Sequence, residues 1–85
     1  MGRNDKLLER LKNKPKDFTY DELRRLLGSL QCMEDTGGRT SGSRTAFIHQ
    51  PTKAILRLHR PHPGNELKAY QIDLVLSFLK SIGVI

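Results

Sequence analysis

Apolar residues recur along the chain in patterns that set out its elements one by one. Between Asn4 and Asn13, Leu7, Leu8 and Leu11 make a narrow apolar stripe among charges, the spacing of one helical face. Lys14-Pro15 ends that helix, because the residue before a proline resists helical angles. The next helix has the best-marked start in the sequence. Thr19 is a natural N-cap and Glu22 completes a capping box, with Phe18 and Leu23 placed to staple the entry. Asp21 and Glu22 fall in its first turn and Arg24 and Arg25 beyond it, as the helix dipole favours. Tyr20, Leu23, Leu26, Leu27 and Leu30 supply its buried face, and Gly28 weakens its end.

Residues Leu30 to Glu34 read as a first strand, followed by a glycine-rich loop over 37–42. Ser43 to His49 and Ala54 to Arg60 alternate as two strands of a hairpin joined around "QPTK". Thr45, Phe47 and His49, with Ala54, Leu56 and Leu58, belong to the face toward the helices. Arg44, Ala46 and Ile48, with Ile55, Arg57 and His59, belong to the other. Pairing symmetric about Pro51-Thr52 sets Phe47 opposite Leu56, Thr45 opposite Leu58, Ala46 opposite Arg57 and Arg44 opposite His59. "HRPHPGN" breaks the pattern. Leu67 to Ile82 then reads as a final helix, with Tyr70, Leu74, Val75, Phe78, Leu79 and Ile82 in period and Gly83 ready as its C′ residue. The order helix, helix, three strands, helix is that of a small α+β domain.

Length and charge sharpen this picture. A chain of 85 residues buries a thin core. Its net charge of +6 is not spread evenly. Residues 39–68 hold Arg39, Arg44, Lys53, Arg57, Arg60 and Lys68 against Glu66 alone, together with all three histidines. The segments on either side are close to balanced. A basic block of this kind is the electrostatic footprint of a polyanion site. The lone cysteine, Cys32, leaves no disulfide framework and no cysteine-based metal spacing, so an intracellular, reduced protein is expected. No apolar run reaches membrane-span length and no signal-peptide pattern is present, so a cytoplasmic location and no membrane partner are expected.

Several motifs taken together resemble one family. "KPKDFTYDELRRLL", a glycine-rich turn leading to "SGSRTAF", a strand ending in "LHRPHPGNELK" and a closing amphipathic helix are similar to the HicA toxins of bacterial toxin–antitoxin systems. The resemblance covers residues 15–85 and leaves 1–14 as an N-terminal helical extension. It implies a fold like a double-stranded-RNA-binding domain, a three-stranded antiparallel sheet with two main helices on one face. It also implies a messenger-RNA endonuclease that works without metal or other cofactor and is neutralised by a HicB antitoxin. The family motif is Gly-Ser-His with a catalytic histidine, whereas here Gly42-Ser43 is followed by Arg44. Arginine stays protonated at any working pH and cannot be a general base.

Metal-free RNA cleavage needs a base for the 2′-hydroxyl, an acid for the leaving oxygen and positive charge at the phosphorane. His59 is the first candidate base, since the hairpin symmetry sets it opposite Arg44. His62, in the position of a histidine that often follows the third strand in the family, is the second. Arg44 supplies the charge. Arg39, Gly42, Ser43, Arg44, Arg57, Arg60 and Lys68 are the expected RNA contacts. His49 faces the helices and is expected to be structural, and Cys32 a small buried apolar residue. Two other functions fit the same residues: a non-catalytic RNA- or antitoxin-binding module on this fold, which the missing motif histidine favours, and, more weakly, a DNA-binding accessory.

Overall fold

The computed structural model describes residues 3–35, 44–61 and 64–85. Its elements follow in the order α1 (Arg3–Lys12), α2 (Tyr20–Ser29), β1 (Cys32–Asp35), β2 (Arg44–His49), β3 (Ile55–His59) and α3 (Ala69–Ser81). The strands form one antiparallel sheet in the order β1-β2-β3. Helix α2 packs against β1 and α3 against β3. The residues turned toward the helices, Phe47, Leu56 and Leu58, share one core with Leu23, Leu26 and Leu27 of α2 and Ile72, Val75 and Leu79 of α3. The opposite sheet face carries the exposed Ile55, Arg57 and His59. This is the α+β, double-stranded-RNA-binding-domain-like arrangement expected.

The start of α2 is built as its sequence dictates. Thr19 accepts from the Glu22 N–H, and the Glu22 carboxylate accepts from the Thr19 N–H at 2.9 Å. Phe18 and Leu23 are both fully buried. Helix α3 ends in a Schellman arrangement: Gly83, at φ 85°, and Val84 donate to the carbonyls of Lys80 and Leu79 at 3.2 and 2.9 Å. The hairpin closes where symmetry sets it. His49 N–H donates to Ala54 O and Lys53 N–H to His49 O, giving a four-residue connection, with Lys53 in the left-handed region at φ 65°.

Three expectations change. Strand β1 begins at Cys32 rather than Leu30, because Leu30 still caps α2 and Gln31 turns the chain with φ 67°. The edges of β3 and α3 likewise draw in by one or two residues. The buried stripe of α3 is also rotated. It runs through Gln71, Ile72, Val75, Phe78 and Leu79, while Tyr70 and Leu74 stand 57 % and 44 % exposed. Gln71 holds an inward position because both ends of its amide are used: Oε1 accepts from Lys68 N–H at 2.9 Å and Nε2 donates to His59 O at 2.7 Å.

Helix α1 is docked. Leu11 is fully buried in the common core, with Leu7 and Leu8 packed against it. Arg10 reaches Glu22 at 2.6 Å and Asp17 at 2.7 Å and lies over the Phe18 ring, while Lys14 pairs with Asp73 of α3 at 3.0 Å. Burial pushes the Glu22 carboxyl up, but the Thr19 N–H and the Arg10 guanidinium outweigh it and hold the group below its usual value. A carboxyl lowered in the fold stabilises above its unfolded value of about 4.3, and that stability fades as pH falls through the folded value. Glu22→Gln, which keeps the cap acceptor and loses the charge, is therefore expected to be less stable than wild type at pH 7. Thermal melts across pH should show the gap closing in acid.

Candidate nucleic-acid interface

The site is positioned by the β2–β3 hairpin. The backbone register pairs Arg44 with His59, Thr45 with Leu58, Ala46 with Arg57, Phe47 with Leu56 and Ile48 with Ile55. His59 ends β3 and is exposed, with Arg57 on the same face two residues back. Its backbone is anchored from the core side, since the His59 carbonyl accepts from the buried Gln71 amide. Lys68 is exposed and caps α3 beside that amide, and Arg60 follows β3 directly. Arg39, Gly42, Ser43 and His62 lie outside the described residues, as does the side chain of Arg44.

His49 is separated from this group. It is 8 % exposed on the helix side, with Nδ1 2.8 Å from Thr52 Oγ1. That bond ties the strand to its own turn and suits a structural histidine. Cys32 is buried, which raises its thiol pKa and disfavours the thiolate a nucleophile requires. Among the described residues no three His, Cys, Asp or Glu side chains gather as metal ligands, and no helix is long and apolar enough to cross a membrane.

A second feature of the open sheet face is apolar. The two registers align Met33, Ile48 and Ile55 in one row across all three strands. Met33 is 60 % and Ile55 48 % exposed. The next rows hold Asp35, Ala46 and Arg57, then Arg44 and His59.

Behind the hairpin, on the helix side, lies a polar cluster that the sequence reading did not single out. The Tyr20 hydroxyl donates to Glu34 at 2.5 Å and is hydrogen-bonded to Thr45 Oγ1 at 3.1 Å. Glu34 also takes Arg24 Nε at 3.0 Å and has Arg60 Nη2 at 3.9 Å, and the Arg60 guanidinium lies over the Tyr20 ring, 5.5 Å from its centroid. Arg60 is thus drawn to the face opposite Arg57 and His59. One signal in the sequence points to the cluster: Glu34 alternates with the inward Cys32, and a carboxylate at an inward strand position needs partners. Burial, and then the bond to Glu34, push the Tyr20 phenol above its ordinary value, partly offset by Thr45 and Arg60.

The site therefore offers an exposed imidazole on a rigid strand end, an arginine position paired with it, and further cations within the same hairpin. These are groups suited to a phosphodiester and to proton transfer near it. No curated protein and no solved structure matches the chain. A family model described as the HicA toxin of bacterial toxin–antitoxin systems matches residues 20–84, from the first residue of α2 to just past α3. That match spans most of the chain and all of the sheet, and it shows that the chain belongs to the HicA toxin family.

Proposed function

We propose that this toxin is a metal-independent endonuclease of messenger RNA, held inactive by a HicB-like antitoxin. The observation that carries the reading is the cross-strand pairing of Arg44 with His59 in a chain of this family. A histidine one strand across from the family's motif position keeps a titratable base at nearly the same spot, with Arg44 occupying the motif position itself. His59 takes the proton of the 2′-hydroxyl. The 2′-oxygen attacks phosphorus, a 2′,3′-cyclic phosphate forms and the bond to the 5′-oxygen breaks. His62 returns a proton to the leaving oxygen, and Arg44 meets the charge of the phosphorane. Arg39, Gly42, Ser43, Arg57 and Lys68 hold the RNA backbone, while Arg60, expected among them, is engaged with Glu34 and Tyr20 on the other face. The row of Met33, Ile48 and Ile55, exposed at Met33 and Ile55, supports a protein partner, the antitoxin, on the same face.

The alternative is a non-catalytic RNA- or antitoxin-binding module, which the arginine in the motif position favours. Expression without a partner separates the two. Growth arrest with loss of bulk messenger RNA is expected, whereas a harmless chain that still binds RNA would favour the module. RNA affinity is expected to fall steeply with salt, as phosphate neutralisation requires. Arg57→Ala should weaken binding to unrelated sequences alike and flatten the salt slope by about one unit, measured by fluorescence anisotropy. Salt-independent affinity would mean that the basic block serves solubility alone.

A further inference from the structure

We propose that Tyr20 and Glu34 are positioning residues for RNA cleavage, acting through the Arg44–His59 pair from the opposite side of the sheet. The inference rests on the reading of His59 as the base. Its starting point is which residues the cluster grips. Tyr20 and Glu34 do not lie on the face that carries His59. They hold Thr45, the chain neighbour of Arg44, and Arg60, the chain neighbour of His59. Adjacent strand residues point to opposite faces, so holding Thr45 on one side steadies the backbone that aims position 44 and its partner 59 on the other, and Arg60, just past β3, is drawn to the Thr45 side.

The clamp draws on elements far apart in sequence. Tyr20 opens α2, Glu34 lies in β1, Thr45 in β2, and Arg60 follows β3. Arg24, one helical turn after Tyr20, fastens the outer oxygen of Glu34 at 3.0 Å. Both polar atoms of the central bond are enclosed: Tyr20 and Thr45 are buried, and Glu34 is largely so. The Tyr20 phenol is raised, so it remains a donor to Glu34 through the range where histidine titrates. On the third side the Gln71 amide holds the His59 carbonyl. The end of the β2–β3 hairpin that bears the proposed base is therefore held at Thr45 of β2 and at His59 and Arg60 of the other strand's end. Catalytic groups lose rate steeply when displaced, about a hundredfold for a shift near 1 Å.

Tyr20→Phe is the informative variant. It keeps the ring against Phe47 and beneath Arg60 and removes only the hydroxyl held by Glu34 and Thr45. Cleavage of a fluorescently labelled messenger transcript by the whole chain gives kcat and KM, and 1H–13C spectra report the His59 ring. The expected result is a kcat lower by roughly ten- to a hundredfold, a KM within about twofold, and shifted His59 ring resonances in a folded protein. Glu34→Ala should match it, while Glu34→Gln, which keeps an acceptor for the phenol, should restore most of kcat. An unchanged kcat with unmoved His59 resonances in Tyr20→Phe would overturn the proposal, and so would a rise in KM alone. Should Tyr20→Phe fail to fold, the Glu34→Ala and Glu34→Gln pair carries the same readouts. A wild-type chain that does not cleave RNA would sink the endonuclease reading instead. The resonances alone then decide whether the clamp governs His59: a shift supports it and none overturns it.

Discussion

His59→Ala is expected to end growth arrest and to slow RNA cleavage by ~10²–10⁴-fold, the range a general base typically supplies. The side chain is exposed on the face away from the core, so its loss leaves no cavity and no buried group without a partner. Folding and RNA affinity should therefore stay close to wild type, with the loss confined to the chemical step. His49→Ala provides the contrast. That ring is enclosed and bonded to Thr52, so its removal should lower the melting temperature with no specific effect on catalysis. A His59→Ala chain that remains fully toxic would eliminate the assignment and move the role of base to His62.

Phe47→Ala is expected to cost about 3–5 kcal/mol, as for other large aromatic residues removed from cores. Phe47 is 1 % exposed at the middle of the central strand, with its ring 6.0 Å from that of Tyr20. Neither helix can move in to fill the space, because α2 and α3 are each held against an outer strand. In a domain of this size about 1 kcal/mol moves the melting temperature by roughly 4–8 °C. Circular-dichroism melts should therefore drop by well over 10 °C, roughly, from the same scaling. With total stabilities commonly near 5–15 kcal/mol, a large fraction of the variant could be unfolded at growth temperature. Its loss of toxicity would then come with loss of RNA binding, unlike that of His59→Ala. A Phe47→Ala chain as stable as wild type would contradict the central role given to this ring.

The parts of the fold that local chemistry decides were legible in the residues. Thr19 and Glu22 mark the start of α2, because a capping box depends only on nearby atoms. The hairpin register followed from alternation and a symmetric turn, and with it the pairing of Arg44 and His59. The face of α3 was harder. Tyr70 and Leu74 are as apolar as the buried residues, and Gln71 is polar, so hydrophobicity alone turned the stripe the wrong way. Only the tertiary bond from Gln71 to the His59 carbonyl explains why an amide lies inward. The Tyr20, Glu34 and Arg60 cluster was illegible for a related reason. Its members come from three separate elements, and each alone has an ordinary reading as core or surface. The docking of α1 was half-legible: its leucine stripe required a partner, but nothing in the chain said which surface would serve.

That docking has a consequence for the order in which the toxin comes into being. Leu11 closes over a core whose other members include α3, and Lys14 meets Asp73 near the far end of the chain. Helix α1 leaves the ribosome before the surfaces that receive it, and α3 follows the whole of the sheet. At ~5–20 residues per second the wait lasts several seconds. Throughout it Leu7, Leu8 and Leu11 remain without their final neighbours, and the strand that carries His59 lacks the Gln71 amide that holds its end. The core of the nascent domain is thus incomplete until α3 has been made, and α1 stays open to solvent or to another protein until then.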